Sequence, residues 1–319
     1  MNFTLIKDFA NILRKEKSVA VICHIRPDGD AIGSAVALYL GLNSINIKAE
    51  VFCDDNIPQK FNFLEGVSDI KREIKGEFSA IIAVDSADIT RIGDFASIFD
   101  SHKNTFNLDH HVSNNRYAKN NFVLDLASNA ENVFALLKEL GVNITREMAS
   151  LLLMGVMTDT GGFKHQNVTE NTLSVASELV KLGADNAIIY YNCFTKQTKE
   201  RAKLFAQTMG RIRYFLEDRF AVISIFQKDL EQTGATADQT EGFIDFIMGI
   251  EGVEVGASVM QIDKNKYKIS FRARETDVNA VAQVFGGGGH VLASGCQIYG
   301  EYEEVIDKIR YAVKVHIRD

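Results

Sequence analysis

The residues best equipped for chemistry sit in four short stretches, each at the end of an apolar run. In "CHIRPDGDAIGS" His24, Asp28 and Asp30 close together, and Gly29 lets the backbone turn so that the two carboxylates converge. "AVDSAD" places Asp85 directly after an apolar run, with Asp88 positioned to cap the next helix. "NLDHHVSNN" sets Asp109, His110 and His111 in succession. Adjacent side chains at a strand end point to opposite sides, so one imidazole can ligate a cation while the other reaches across the site. "MTDTGGF" ends an apolar helix on Asp159, where the helix dipole disfavours a carboxylate unless a cation compensates.

Taken singly, each stretch has an ordinary explanation: Asp28 as a helix N-cap, Asp85 as the start of a turn. Taken together, His24, Asp28, Asp30, Asp85, His110 and Asp159 form a ligand set of two histidines and four carboxylates without a thiolate. Oxygen and nitrogen ligands of this kind suit Mn²⁺ or Mg²⁺, and the set is large enough for two divalent ions sharing a bridging carboxylate. Two such ions clamp in-line attack at phosphorus, so the pattern predicts a phosphoesterase.

The elements that must position these residues follow from apolar periodicity. Runs at 18–24, 48–53, 79–85 and 104–110 read as buried strands, and the segments between them carry helical periods. Strand followed by helix, repeated, predicts a doubly wound, mostly parallel α/β sheet with helices on both faces. Ligands in such sheets bind beyond the carboxyl ends of the strands, where His24, Asp85 and Asp109 fall. Helices are expected at 129–141 and 145–162, the latter stopped by its glycine pair. Residues 1–185 are expected to form this domain and 186–205 a helical linker. Residues 206–319 are expected to form a smaller α/β domain, with strands in "FAVISIF", "GVEVGASVMQID" and "KYKISFRAR".

That second domain carries its own candidate site. Strand alternation puts Lys266, Lys268, Ser270, Arg272 and Arg274 on one face. The fork of Arg272 can grip a phosphate through two hydrogen bonds. In "VFGGGGHVLASG" the glycines Gly286 to Gly289 precede His290. Their N–H groups are expected to form an anion nest, to which His290 adds a donor.

Composition bounds the alternatives. At ~150 residues per domain, 319 residues predict two domains. A net charge of −7 argues against a protein that coats long duplex nucleic acid. The four cysteines form no CxxC pair and read as reduced residues of a cytoplasmic protein. The N-terminal stretch lacks a secretory pattern, and no apolar run approaches the ~20 residues that cross a bilayer. No membrane partner is expected, and the oligomeric state, a homodimer included, stays open.

In this order, "HIRPDGDAIGS", "VDSAD", "LDHHVSN" and "MTDTGGF" resemble the four motifs of the DHH phosphoesterase superfamily, and "FGGGGH" resembles the signature of its DHHA1 domain. The resemblance spans nearly the whole chain and is greatest to the nanoRNase and pAp phosphatase group. It implies a Mn²⁺-preferring hydrolase that degrades very short oligoribonucleotides to mononucleotides and dephosphorylates 3′-phosphoadenosine 5′-phosphate (pAp) to AMP. One cation would be held by His24, Asp28 and Asp85, the other by Asp30, Asp85, His110 and Asp159. A hydroxide bridging the two is then expected to attack phosphorus. His111 would contact the scissile phosphate, and it or a metal-bound water would protonate the leaving oxygen, with Asp109 orienting His110. Arg272, Gly287, Gly288, Gly289 and His290 would hold the terminal phosphate, which makes long RNA a poor substrate. The chain departs from the pattern after "DTG", where many relatives carry an arginine and this one has Gly162 and Phe163, with Lys164 and His165 nearby.

Competing readings are a cyclic or linear di-adenylate phosphodiesterase, an inorganic pyrophosphatase on the same scaffold, and a nucleotide sensor with a structural metal. The glycine-rich tail counts against the pyrophosphatase and the full ligand set against the sensor.

Overall fold

Alternation along the first buried strands sends neighbouring side chains to opposite faces of one sheet. Val19 and Val21 join one apolar cluster, while Ala20 and Ile22 join another; Ile82 and Val84 part from Ile81 and Ala83 in the same way. A sheet with both faces buried follows. In the computed structural model, which describes residues 1–317, six parallel strands form it: β1 Asn2–Phe3, β2 Ser18–Ile22, β3 Lys48–Phe52, β4 Ala80–Val84, β5 Thr105–Asp109 and β6 Asn120–Val123. Their order is β1-β6-β5-β4-β2-β3. From β2 the chain runs to one edge and from β4 toward the other, so the switch point lies between the strands that end at His24 and Asp85.

Helices α1 Ile6–Leu13, α2 Gly29–Ser44, α3 Ala96–Ser101, α4 Asn129–Leu140, α5 Arg146–Asp159 and α6 Glu170–Lys181 follow in the first unit, which ends in a short helix, Asn186–Tyr190, continued as a π-helical turn, Tyr191–Thr195. Residues of α1, α2, α4 and α5 fill the larger cluster, in which Phe9 packs edge-on against Phe106. Each fully buried side chain of this size stabilises the fold by ~1.5–3 kcal/mol. The opposite face is covered by α3 and the 3-10 helix Ile89–Phe95, through Ile92, Phe95 and Phe99. The expected strands and helices of this half are present. Strands β1 and β6 had no sequence signal, because "NF" and "NNFV" are too short and polar to show a period.

The crossing of α2 over α5 is unusually close. A Cβ at Gly33 would collide with the Leu151 carbonyl, and one at Gly155 would stand 2.6 Å from Asp30 Oδ1 and 2.7 Å from Ala130 Cβ. Only glycine at these two places lets the start of α2 and the end of α5 meet.

The chain divides into Met1–Lys196 and Gln197–Asp319. The second unit is a mixed sheet, ordered β11-β12-β10-β9-β8-β7. Its strands are β7 Arg213–Phe215, β8 Phe220–Ile225, β9 Val255–Asp263, β10 Lys266–Ala273, β11 Gly288–His290 and β12 Ala293–Tyr299. Tyr267, Ile269 and Phe271 of β10 are buried against the helices Val278–Gln283 and Tyr302–His316, which leaves Lys266, Lys268, Ser270 and Arg272 on the other face as alternation predicts. Arg274 departs from that expectation. It lies beyond the strand, and its guanidinium donates to the carbonyls of Val253 and Met248. No helix among the described residues is long and apolar enough to cross a membrane.

Candidate metal centre

The ends of β2, β4 and β5 bring His24, Asp85 and Asp109 to one edge of the sheet, with His110 and His111 directly after. Asp28 serves as N-cap of α2, its Oδ1 accepting from the Asp30 and Ala31 amides at 3.0 Å each. Its other oxygen, Oδ2, lies 3.8 Å from His24 Nε2. Capping thus occupies one oxygen of Asp28 and leaves the other facing His24.

Asp30 is fully buried. Its Oδ2 accepts from the Asn129 amide at 2.6 Å, and its Oδ1 accepts from the Ala130 amide at 2.9 Å and from Ser34 Oγ at 3.2 Å. The carboxylate thus sits on the positive end of α4. Asp159, the last residue of α5, is held there by the Gly33 and Gly155 approach described above.

Backbone carbonyls aim the two ligand imidazoles. His24 Nδ1 is 2.8 Å from the Ile25 carbonyl and His110 Nδ1 is 3.0 Å from the Leu126 carbonyl. A carbonyl only accepts, so Nδ1 donates and Nε2 is the atom left to bind a cation. His24 Nε2 lies 3.5 Å from Asp85 Oδ2, and His110 Nε2 lies 3.3 Å from Asp85 Oδ1 and 3.4 Å from Asp159 Oδ2. Asp85 stands between the two groups and adopts a left-handed φ of 54°. Such a conformation costs on the order of 1–3 kcal/mol and persists where the surroundings dictate it.

The expectation that Asp109 orients His110 is corrected. Asp109 Oδ1 accepts from His111 Nδ1 at 2.8 Å, and its Oδ2 accepts from Asn114 Nδ2 at 2.5 Å. The strand reverses side-chain direction at each step, which carries the imidazole two residues on, not the next one, back to the carboxylate. His111 is the more exposed of the pair, and Asp109 is fully buried.

The electrostatics are those of carboxylates and imidazoles crowded together in a buried place. Burial pushes the Asp30 carboxyl up, with Asp85 and Asp159 adding to it. Burial also raises Asp159 to about 7, helped by Asp85 and Asp28. For Asp85 burial acts upward too, but the imidazoles of His110 and His24 outweigh it and hold the carboxyl well below the usual range. His110 is raised to about 10, against burial, chiefly by Asp85 and Asp30. Asp85 Oδ1 is nevertheless buried without a hydrogen-bond partner. Ligand atoms of His24, Asp28 and Asp85 lie within 4.8 Å of one another, and so do those of Asp30, His110 and Asp159. An orphaned buried oxygen amid converging carboxylates and Nε2 atoms fits divalent cations in both places.

In the second unit, Arg272 pairs with Ala293 across β10 and β12, and Ala293 pairs with His290 across β12 and β11. Paired residues share a face, so Arg272 and His290 flank Ala293, ~10 Å apart at the usual strand spacing. Among the described residues the guanidinium of Arg272 donates a hydrogen bond only to the Phe271 carbonyl, at 3.2 Å. The anion-nest reading of the glycines is corrected. Gly288–His290 is an edge strand, and the amides of Gly287 and Gly289 donate to the Ala282 carbonyl and to Asn279 Oδ1. A Cβ at Gly287 would collide with the Gly295 carbonyl, and one at Gly289 would stand 2.6 Å from the Ala293 carbonyl. These glycines let β11 close onto β12. Beside them a hollow of 440 Å³ is lined by Lys268, Phe285, Gly287, Gly295, Cys296 and Gln297.

Sequence reasoning missed the carbonyls of Ile25 and Leu126 and the α4 amides, because backbone groups have no sequence signal. It also missed Asn114, whose place in "HHVSNN" beside the histidines was the one available hint.

Comparison with known proteins agrees with this geometry. The DHH family, N-terminal domain, matches residues 18–156, and the DHHA1 domain matches residues 217–318. The chain is 30% identical over 306 residues to the bifunctional oligoribonuclease and PAP phosphatase NrnA of Thermus thermophilus, covering 92% of this chain and 90% of the relative. To the protein of the same name from Bacillus subtilis it is 26% identical, covering 92% and 94%. A crystal structure of an exopolyphosphatase-related protein from Bacteroides fragilis superposes with a TM-score of 0.82 at 26% identity, covering 97% of this chain and 95% of that one. With its ligand cluster at the sheet's switch point and both domains matched in order, the chain belongs to the DHH family of phosphoesterases, with a DHHA1 domain as its second unit.

Proposed function

We propose that this protein hydrolyses short oligoribonucleotides to mononucleotides and pAp to AMP, at a centre holding two divalent cations, Mn²⁺ in preference to Mg²⁺. The observation that carries the reading is Asp85, which faces His24 with one oxygen and His110 with the other. The relatives named as oligoribonucleases and PAP phosphatases supply the substrate class. Bound there, the cations supply Lewis acidity to the phosphoryl group and activate water for attack on it. His24, Asp28 and Asp85 would hold one, and Asp30, Asp85, His110 and Asp159 the other.

The chain's own part is positional and acid–base. Asp109 holds His111 by Nδ1, which leaves Nε2 to contact the scissile phosphate and to protonate the departing oxygen. The hydrogen bond that His111 Nδ1 donates to Asp109 raises the imidazole above its ordinary pKa, which favours its protonated form. Arg272 and His290 are proposed to bind the substrate's other phosphate, with Gly287, Gly288 and Gly289 keeping the floor beside them flat. Four free cysteines and the absence of a membrane-spanning helix among the described residues accord with a cytoplasmic setting.

The test is turnover with Mn²⁺ and then Mg²⁺ on a panel of pAp, RNAs of graded length, cyclic di-AMP and pyrophosphate. Hydrolysis of pAp and of very short RNAs, falling off with length, is expected. Turnover of pyrophosphate or cyclic di-AMP alone would replace this reading. An exchange of His111 for Ala is expected to reduce turnover by ~10²-fold at saturating metal; unchanged turnover would remove His111 from the chemistry.

A further inference from the structure

One charged side chain at the centre, Arg91, has no partner of opposite charge among the described residues. Arg91 lies in the first turn of the 3-10 helix Ile89–Phe95, whose N-cap Asp88 accepts from the Thr90 amide. The Arg91 carbonyl accepts from the Ile25 amide at 2.8 Å, which fixes it beside the His24 loop. Its guanidinium Nη2 stands 3.3 Å from His24 Nδ1. No carboxylate among the described residues pairs with it.

That contact is not a hydrogen bond once His24 offers Nε2 to a cation. Nδ1 then carries the ring's hydrogen and donates it to the Ile25 carbonyl, 2.8 Å away, so Arg91 meets an N–H where it needs a lone pair. A guanidinium does not lose its proton in a protein. A loaded centre would therefore set a permanent positive charge against a ligand of a divalent cation, with the imidazole between them. Two cations so placed are stable together when an anion touches both.

We propose that Arg91 is a substrate-binding and catalytic residue that donates to a non-bridging oxygen of the scissile phosphoryl group, on the His24 side of the centre. The inference rests on the phosphoesterase reading above and adds a contact to it. Water oxygen bonds to phosphorus and the ester oxygen leaves with a proton. Arg91 acts by opposing charge on the oxygens it holds. Its planar fork suits a phosphoryl group, and because charge on those oxygens is redistributed as the ester bond breaks, the contact acts on turnover as well as on binding.

The test compares wild type, Arg91→Gln and Arg91→Lys as full chains. With Mn²⁺ and pAp, kcat/KM is expected to fall ~10²-fold in Arg91→Gln, with about tenfold recovered by Arg91→Lys, which keeps the charge without the fork. Calorimetric Mn²⁺ affinity is expected to be unchanged or tighter in both variants. AMP is expected to bind Mn²⁺-loaded Arg91→Gln about tenfold more weakly than loaded wild type, while adenosine binds the two alike. Weaker Mn²⁺ binding with unaltered AMP affinity would make Arg91 a prop for His24 and overturn the proposal, as would unchanged kcat/KM. If Arg91→Gln fails to fold, Arg91→Lys carries the same readouts. A wild type that hydrolyses no phosphoester would overturn the functional reading instead, and AMP binding would then decide the anion contact independently.

Discussion

The His24 and Asp28 half of the centre and the half built from Asp30, His110 and Asp159 use the same ligand chemistry, but they are attached to the fold differently. Asp28 spends one oxygen on capping α2, and its side chain remains 54% exposed. Asp30 is buried with both oxygens on the amides that open α4. In the first half only the Asp28 carboxylate faces solvent and His24 is buried, while the second half is part of the packing between α2, α4 and α5. The difference teaches that ligand identity and structural role are separable within one motif: residues two apart in "DGD" lie at opposite extremes of burial.

The comparison is broken most completely at the residue that both halves share. Asp85→Ala is expected to lower turnover by ~10³-fold or more and to reduce calorimetric Mn²⁺ binding at both positions. Loss at only one of them would mean the halves are independent. Next, urea unfolding of the metal-free protein should separate Asp30 from Asp28. Asp30→Ala leaves two buried amides without acceptors and is expected to cost ~3 kcal/mol, whereas Asp28→Ala loses an exposed cap worth about 1 kcal/mol. Equal costs would erase the distinction.

Steric insertion should sharpen it further. Gly155→Ala places a methyl 2.6 Å from Asp30 Oδ1 and is expected to destabilise by ~1–3 kcal/mol. It should weaken metal binding in the second half and leave the first intact, which metal titration followed by calorimetry would resolve.

The smallest effect is on protons. His110, raised to about 10, and Asp159, raised to about 7, bind protons more tightly folded than unfolded when no cation is present. On these two groups the metal-free protein is most stable below pH ~4, the ordinary range of a carboxylate. It loses that contribution as pH climbs through about 7 for Asp159 and about 10 for His110. A cation must displace the same protons, so its affinity is expected to rise between pH 6 and 8 by about tenfold per pH unit for each proton still bound, more steeply below about 7, where both are bound, than above it. Calorimetry in buffers of different ionisation enthalpy would report the release; none would mean the second half is already deprotonated.

Much of this was legible in the sequence because period 2 and period 3.6 mark buried strands and helices, and because polar residues at the ends of apolar runs stand out. His24, Asp85 and Asp109 could be placed at one sheet edge from that alone. The role of Asp109 could not, since which imidazole folds back on it depends on the local path after β5. The glycine run misled for a related reason: glycine admits close approach by any group, and the approaching group here is a neighbouring strand. Arg274 read as part of an alternating face but fell past the strand's end, the place where pattern reading is least able to set a boundary.

Gly33 and Gly155 carry no chemistry, yet the distance between α2 and α5 depends on them. In a map of tolerance to every single substitution, these two positions should stand beside the ligands. Anyone grafting this centre onto another α/β scaffold would have to copy the helix crossing first and the carboxylates second.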